Sequence, residues 1–219
     1  MNEDQLKEIA AQLRQPHGEM AHEVSGRMNK GNHHMNQFAI QTLKPQPGDA
    51  ILEIGMGNGF FVKDILLSDE SITYVGCDFS EAMVTEATEL NNAYVQSGQA
   101  RFQLASADSL PFATESFDKV FTVNTIYFWD NPTGVLDEMK RVLKPDGQLL
   151  IALRSKSVME SYPFTQYGFI MYDTDDLNTL LSENGLKITR ILEEYEPDQE
   201  INGETISVSS MIVCAEKIN

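Results

Sequence analysis

The sequence predicts an α/β protein in which helices cover both faces of a mostly parallel β-sheet. Short apolar runs alternate with helical patterns from residue 50 to residue 184, and this alternation is typical of parallel strands joined by helices. The last two predicted strands are joined by the polar segment EPDQEING alone. Because a parallel crossover needs about a dozen residues or more, these two strands should form an antiparallel hairpin.

The N-terminal region is predicted to be helical and separate from the sheet. Apolar residues recur at helical spacing over residues 4–13 and, less regularly, over residues 20–43. The segment KPQPGD then ends the helical pattern with a Pro/Gly turn. We therefore expect two parts, residues 1–44 and residues 45–219.

Strands and helices follow in order along the second part. Predicted strands cover residues 50–54, 73–77, 100–104 and 119–124, and KPDGQLLIAL adds a turn and a fifth strand. Ser80 is the predicted N-cap of a helix that runs to residue 91, and Pro132 begins another helix. A helix over residues 175–184 has Gly185 as its C-cap. The segments LKITRILEEY and ETISVSSMIVCAEK form the final hairpin.

Composition and charge limit the classes of function. With 219 residues, 42% of them hydrophobic, the chain is long enough to bury a substantial core. A net charge of −17 should repel the phosphate groups of nucleic acids and of anionic membranes. We therefore expect the protein to bind neither of these. The N-terminal segment MNEDQLKEIAAQLRQ lacks the features of a signal peptide, which predicts a cytoplasmic protein. Cys77 and Cys214 form no CxxC pair and the carboxylates lack ligand spacing, so no metal is expected.

Three glycines follow the first predicted strand. Residues 51–61 read ILEIGMGNGFF, with Gly55, Gly57 and Gly59 at alternate positions. Glycine suits a backbone that turns sharply or closely approaches a ligand, and loops at the carboxyl ends of parallel strands are the usual ligand sites in such sheets. This pattern predicts a ligand site, although turn glycines without a ligand remain an alternative.

The glycine spacing and its context resemble motif I of the class I methyltransferases that use S-adenosylmethionine. The dinucleotide fingerprint G-x-G-x-x-G would need glycine at Phe60, whereas the sequence has G-x-G-x-G preceded by Glu53. Asp78 ends the second strand, where a carboxylate can accept hydrogen bonds from ribose hydroxyls. Asp78 could alternatively cap a helix, but Ser80 already suits that role.

The resemblance extends over residues 47–153. The segments ASADSLPF, SLPFATESFDKVF and RVLKPDGQLLIA are similar to the family's segments in order and spacing, and the final hairpin fits its reversed seventh strand. A Rossmann-like three-layer sandwich with a seven-stranded sheet and S-adenosyl-L-methionine as the cofactor are implied. An NAD-binding protein has no reason to carry the LPF-x-x-x-SFD run.

The resemblance also implies site residues. The family's acidic residue after the third strand reaches the adenine amino group, which indicates Asp108, and residues after the fourth strand contact the sulfonium end. The predicted cofactor-binding residues are Glu53, Gly55, Met56, Gly57, Gly59, Asp78, Phe79, Ser80, Met83, Ala107, Asp108, Ser109, Asn124 and Thr125.

The segment VNTIYFWD after the fourth strand bears on the methyl acceptor. It departs from the Asn/Asp-Pro-Pro-Tyr/Phe sequence of enzymes that methylate bases, and is more similar to the small-molecule, type 11-like branch. Tyr127, Trp129, Tyr167 and Tyr172 are the predicted substrate-binding residues, with ordinary core packing as the alternative.

Residues 1–44 resemble the helical cap that closes the cofactor cleft in small-molecule methyltransferases. Within this segment, His33 or His34 is a candidate general base, because an unperturbed histidine suits proton removal near neutral pH. Tyr127 is a third candidate catalytic residue. Paired histidines in a polar stretch can also be simple solvated side chains.

We therefore expect methyl transfer to an O, N or C nucleophile of a small organic molecule by a monomer or homodimer. The alternatives are a protein side-chain methyltransferase and a non-catalytic module that binds S-adenosylmethionine.

Overall fold

A seven-stranded sheet forms the centre of the computed structural model, which describes residues 1–201 and 204–218. The strands of the described residues are β1 (Ala50–Ile54), β2 (Thr73–Asp78), β3 (Ala100–Leu104), β4 (Phe117–Val123), β5 (Leu143–Leu153), β6 (Leu186–Tyr195), β7 (Gln199–Ile201), β8 (Glu204–Ile206) and β9 (Ser209–Lys217). Seven of them form the central sheet in the spatial order β3-β2-β1-β4-β5-β9-β6, and β7 and β8 form a separate pair. The first five strands pair in parallel and β9 pairs antiparallel with both β5 and β6, which confirms the predicted fold class.

Helices cover both faces of this sheet. They are α1 (Glu3–Arg14), α2 (Ala21–Gly31), α3 (His33–Leu43), α4 (Val62–Leu66), α5 (Glu81–Leu90), α6 (Asn92–Ser97), α7 (Pro132–Val142), α8 (Lys156–Met159) and α9 (Thr174–Glu183). On one face, α7 and α9 bury apolar side chains such as Leu136 and Leu177, and on the other, α3 and α4 bury Met35 and Ile65. Burying two faces leaves the central strands apolar throughout, as expected for a parallel sheet.

The final hairpin is confirmed, but its connection contains more structure than the sequence predicts. The polar segment between β6 and β9 includes the short antiparallel pair β7 and β8. Its residues are mostly polar and its strands have three residues each, so hydrophobic periodicity had no pattern to detect. β4 also begins at Phe117, two residues before the predicted start, because that ring packs in the core.

The N-terminal residues divide between the sheet and the edge where the parallel strands end. The predicted second helical stretch is two helices, since the chain leaves helical geometry at Asn32. α3 packs against the sheet through Met35 and Leu43. α1 and the segment after it reach the end of β2, where Ser80 Oγ donates to the Pro16 carbonyl at 2.6 Å and Gln15 Nε2 donates to the Phe79 carbonyl at 3.0 Å.

Three further observations concern the described residues. Within 1–201 and 204–218, no helix combines the length and apolar character that a bilayer span requires. The same part of the chain holds no group of three or more His, Cys, Asp or Glu side chains placed to ligate a metal. Cys77 and Cys214 are both buried thiols.

Candidate functional site

The glycine loop after β1 turns at three residues with positive φ. Gly55, Gly57 and Gly59 have φ of 72°, 57° and 66°, a region that costs other residues conformational energy. A Cβ on Gly55 would lie 2.3 Å from Thr125 Cγ2, so this glycine permits close packing against the loop after β4. A Cβ on Gly57 would meet no atom within 4 Å, because this glycine faces open space.

That open space is a cavity of about 220 Å³, here called the glycine-side cavity. It lies at the carboxyl ends of β1, β2 and β4, where open α/β sheets bind ligands. Of the residues predicted to bind cofactor, nine line it: Gly55, Gly57, Asp78, Phe79, Met83, Ala107, Asp108, Asn124 and Thr125. The others, which do not line it, are Glu53, Met56, Gly59, Ser80 and Ser109.

Asp78 is the central acceptor of the glycine-side cavity. Its carboxylate accepts hydrogen bonds from the backbone N–H of Gly57 at 3.0 Å and of Ser80 at 2.9 Å. Burial raises the pKa of Asp78 to about 6, although these backbone donors oppose the shift. The carboxylate is therefore mostly ionised at neutral pH and has lone pairs left to accept hydrogen bonds from a ligand.

Glu53 and Ser80 support the cavity from behind. The Tyr74 hydroxyl donates to Glu53 at 2.5 Å, and burial raises the pKa of Glu53 to about 7. Ser80 is the N-cap of α5, as predicted, and its Oγ accepts from the Met83 N–H at 3.3 Å. Asp78 therefore does not have to serve as the helix cap.

Trp129 lies in the glycine-side cavity, whereas the sequence suggested that it binds the acceptor. The side chain is 5% exposed, and its indole Nε1 has no hydrogen-bond partner among the described residues. Buried polar groups are usually paired. The side chain of Trp129 therefore contributes to the wall of this cavity, while its indole N–H is a buried, unpaired donor.

A second cavity, of about 340 Å³, adjoins the first. It is here called the aromatic cavity, because rings from the loop after β4 and from the segment after β5 form much of its wall. The five rings are those of Tyr127, Phe128, Tyr162, Phe164 and Phe169. Residues of α1 and α2 form the opposite wall, and Gln199 of β7 contributes at one side.

Five residues line both cavities and so mark their junction: Leu13, Met28, Asn32, Asn124 and Phe128. Asn124 has φ of 58°, an uncommon conformation that non-glycine residues adopt mainly at functional positions and turns. Its Nδ2 donates to Asn32 Oδ1 at 2.9 Å, and its Oδ1 lies 3.1 Å from the Tyr127 hydroxyl. An amide pair therefore connects the N-terminal helices to the end of β4.

The aromatic cavity also contains a buried ion pair. Arg154 donates to Glu196 through Nη1 at 2.8 Å and Nη2 at 3.0 Å, and both side chains are almost fully buried. Arg154 Nη2 also donates to the Gly31 carbonyl at 2.9 Å. This two-point pairing neutralises the guanidinium and links α2 to the segment after β6.

The structure does not bring the predicted histidines to either cavity. His33 and His34 are exposed at the start of α3, and the His33 ring packs 5.8 Å from the Phe61 ring. The helix turns Met35 and Leu43 toward the sheet, so positions 33 and 34 lie on its outer side. These histidines have the placement of solvated side chains, the alternative that the sequence left open.

The predicted tyrosines are distributed over three settings. Tyr127 lines the aromatic cavity, but burial raises its pKa well above the usual value, which argues against a role as a base. Tyr167 lies under the Lys7 ammonium at 5.6 Å, away from both cavities. Tyr172 is buried in the core beside α9. Core or surface packing accounts for the last two.

Sequence reasoning missed several residues of the site. Leu13, Arg14 and Pro16 line the glycine-side cavity from the N-terminal segment, and an apolar residue, a helical arginine and a proline after a helix gave no local signal of a site. Arg154 directly follows the apolar end of β5, and a charge in that position could have indicated a buried or functional side chain. Asn32 had only its place in a helix break as a signal.

The chain is similar to known methyltransferases in sequence. A family model described as a methyltransferase domain matches residues 52–151. The uncharacterized methyltransferase YdaC of Bacillus subtilis is 30% identical over 125 residues, which are 57% of this chain and 67% of that protein. An O-methyltransferase of Pyrenophora dematioidea is 34% identical over 119 residues, covering 54% of this chain and 44% of that enzyme. The chain thus spans two thirds of the first relative and less than half of the second.

Solved structures share the fold. The putative methyltransferase in a complex with the Trm112 methyltransferase activator of Haloferax volcanii superposes with a TM-score of 0.76 at 18% identity, covering all of both chains. A SAM-dependent methyltransferase from Aquifex aeolicus gives a TM-score of 0.69 at 19% identity, over 87% of this chain and 95% of that one. At these identities the likeness shows the architecture alone.

Proposed function

This chain belongs to the class I methyltransferases that use S-adenosylmethionine, and we propose that it transfers a methyl group to an O, N or C nucleophile of a small organic molecule. The observation that carries the proposal is the junction of two cavities, one lined by the glycine loop and Asp78, the other by aromatic side chains. The naming of one relative as an O-methyltransferase supports a small acceptor.

The residues of the glycine-side cavity fit S-adenosylmethionine. Gly57 leaves the backbone open where a side chain would enter the cavity. Asp78 is a largely ionised acceptor suited to ribose hydroxyls, and Asp108 is a further polar side chain in the wall. Asn124 and Thr125 would lie toward the aromatic cavity, where the methyl group must be presented.

The chain's own residues would act by orientation and by exclusion of water. When bound, the cofactor supplies a methyl group already activated by the sulfonium charge. The glycine loop and Asp78 hold one reactant, while the aromatic cavity holds the other beside the junction. Fixing two reactants in line can lower a barrier by roughly 7–11 kcal/mol in favourable cases. The N-terminal helices cover the junction, which keeps the reacting groups out of bulk water.

Two features bear on partners. A net charge of −17 disfavours nucleic acid and anionic membranes, and the walls of the aromatic cavity on two sides suit a small molecule better than a protein side chain. We therefore propose a small-molecule acceptor and a monomer or homodimer.

Calorimetric titration with S-adenosylmethionine tests the cofactor site. The wild type should bind, Gly57→Arg should lose binding because its side chain fills the cavity, and Asp78→Asn should bind roughly 10- to 100-fold more weakly, the effect of losing hydrogen bonds to a charged acceptor. Asp146→Asn, an exposed change remote from both cavities, is the matched control for charge.

Equal binding by wild type and Asp78→Asn, or no binding by a folded wild type, would overturn the proposal. Once binding is established, formation of S-adenosylhomocysteine with panels of phenols, amines and acids would identify the acceptor and the methylated atom.

A further inference from the structure

Resting on the proposed function, we infer that the aromatic cavity takes a flat, apolar acceptor without a fixed negative charge. The acceptor is methylated at an acidic hydroxyl that the amides of Asn32 and Asn124 orient, and no protein base removes its proton.

The wall of the aromatic cavity favours a flat apolar body. The rings of Phe128 and Phe169 are 4.6 Å apart at an interplanar angle of 61°, and those of Tyr162 and Phe164 are stacked at 5.4 Å. Aromatic rings prefer such stacked and edge-to-face contacts with other rings. Ile9, Val24 and Met159 add aliphatic surface to the wall.

The two cations that line this cavity are already paired. Arg154 donates through Nη1 and Nη2 to the buried Glu196, which also accepts from Ser210 Oγ, and its Nη2 donates to the Gly31 carbonyl as well. The exposed Arg27 donates to Glu23 at 2.5 Å. A fixed carboxylate or phosphate on the acceptor would therefore lose water without gaining a free cation, and burying an unpaired charge is unfavourable.

The polar groups at the junction are amide N–H donors. The carbonyl oxygen of Asn32 accepts from Asn124, and that of Asn124 faces the Tyr127 hydroxyl. Each side-chain carbonyl oxygen of this amide pair thus already accepts one hydrogen bond. The hydrogen bonds that the pair can still make to a ligand are mainly ones donated by its N–H groups. N–H donors stabilise a negative oxygen, so they suit a phenolate or enolate better than an amine lone pair.

The junction offers no base. None of the five residues that line both cavities is titratable, so the amides are its polar side chains within the described part of the chain. Tyr127, immediately behind Asn124, remains protonated because burial raises its pKa, and His33 and His34 line neither cavity. Glu8 of α1 lines the aromatic cavity but not the junction, and its exposed carboxylate accepts a hydrogen bond from Gln12 Nε2 at 3.1 Å.

The acceptor hydroxyl must therefore lose its proton to water. The resulting oxygen then forms its bond to the methyl carbon with its own lone pair, as the electron pair of the carbon–sulfur bond passes to sulfur. An acceptor that ionises near neutral pH meets this requirement without help from the protein.

Three probes separate acidity from charge. They are 4-methyl-2-nitrophenol, which has an acidic hydroxyl, 2,4-dimethylphenol, which has a weakly acidic one, and 4-hydroxy-3-nitrobenzoate, which adds a fixed carboxylate to the acidic phenol. At pH 7 the first should be methylated at least about tenfold faster than the second, because the ionised fraction falls tenfold for each pH unit below the pKa. The third should bind at least about tenfold more weakly than the first.

The amide pair has a test that does not depend on turnover. The yellow phenolate of 4-methyl-2-nitrophenol reports its own ionisation when bound to enzyme loaded with S-adenosylhomocysteine. Asn124→Gly, which tolerates the positive φ, and Asn32→Ala should each raise the bound phenol's pKa by about one unit, since one hydrogen bond to a charged group is lost. Asn178→Ala, an exposed change on α9, should leave this pKa unchanged.

The outcomes distinguish this inference from the proposed function. Equal rates for the two uncharged phenols at pH 7 would indicate a protein base, and equal binding of the carboxylate would indicate a free cation; either overturns the inference. Failure to bind or methylate any of the phenols while S-adenosylmethionine still binds overturns it too, and leaves the proposed function standing. Loss of cofactor binding by the wild type would instead overturn the proposed function.

Discussion

The carboxylate of Asp78 both stabilises the loops around it and lines the glycine-side cavity. It ends β2, accepts two backbone N–H groups and remains 7% exposed toward the glycine-side cavity. The same burial that makes its hydrogen bonds strong also raises its pKa to about 6. The ligand site is therefore tuned by the degree to which water is excluded from this side chain.

Cofactor affinity should consequently depend on pH. Below about pH 6 Asp78 takes up a proton and loses acceptor capacity, so the dissociation constant of S-adenosylhomocysteine should rise by up to about tenfold per pH unit. Trp129, the single tryptophan, lines the same cavity, and its fluorescence can follow the titration between pH 5 and pH 8. Asp78→Asn should give a weak, pH-independent constant; an unchanged pH profile in that variant would assign the titration to another group.

At the scale of elements, the start of α5 connects the sheet to the N-terminal segment. Ser80 Oγ accepts from the first turn of α5 and donates to the Pro16 carbonyl. One hydroxyl thereby caps a helix and holds the segment that covers the glycine-side cavity. The same hydroxyl explains why the N-terminal helices can act as a cover although only α3 packs in the sheet's core.

Ser80→Ala should destabilise the fold by about 1–2 kcal/mol and also weaken cofactor binding, because the covering segment loses one of the two hydrogen bonds described above that tether it to the end of β2. Asp173→Ala is the matched control: Asp173 caps α9 in the same way, accepting from the Asp176 N–H at 2.9 Å, but lines neither cavity. It should lose similar stability and keep the wild-type affinity. Chemical denaturation and calorimetry measure the two quantities, and unchanged affinity in Ser80→Ala would contradict the tether.

At the scale of the whole molecule, buried carboxyl groups make stability depend on pH. Burial raises the pKa of Glu53 from 4.5 to about 7, so the folded protein binds a proton there that the unfolded chain releases. The free energy of unfolding should therefore fall as pH rises through the interval between these two values. Asp78 acts in the same direction.

Glu53→Gln should remove the part of this dependence that comes from Glu53 and leave the part that comes from Asp78. The side-chain amide can still accept a hydrogen bond from the Tyr74 hydroxyl. At pH 8 the free energy of unfolding of the variant should exceed that of the wild type by about 1–3 kcal/mol. This is the free energy that corresponds to the pKa shift of Glu53, less the cost of burying an NH₂ group. At pH 4.5 the two proteins should unfold alike. Thermal unfolding across this range measures the difference, with Glu183→Gln, an exposed change, as the control. An advantage of equal size at both pH values would show that packing, and not titration, is responsible.

Most of the architecture could be predicted because parallel strands buried on both faces leave a clear apolar pattern. The glycine loop, Asp78 and the N-cap Ser80 were predictable for a related reason, since each is a local device that needs a certain residue type at a certain distance from a strand end. The pair β7 and β8 left no such pattern, and neither did the break at Asn32.

The sequence by itself determined the fold class, the succession of strands and helices along the chain and the position of the glycine loop, because these depend on local conformation and on the period of the apolar residues. Only the tertiary structure decided which side chains share a cavity. It moved Trp129 to the glycine-side cavity, left His33 and His34 on the surface, and joined Asn32 to Asn124 across 92 positions of the chain. Such contacts depend on how helices dock onto the sheet, which is a matter of packing between distant segments that no short stretch of sequence records.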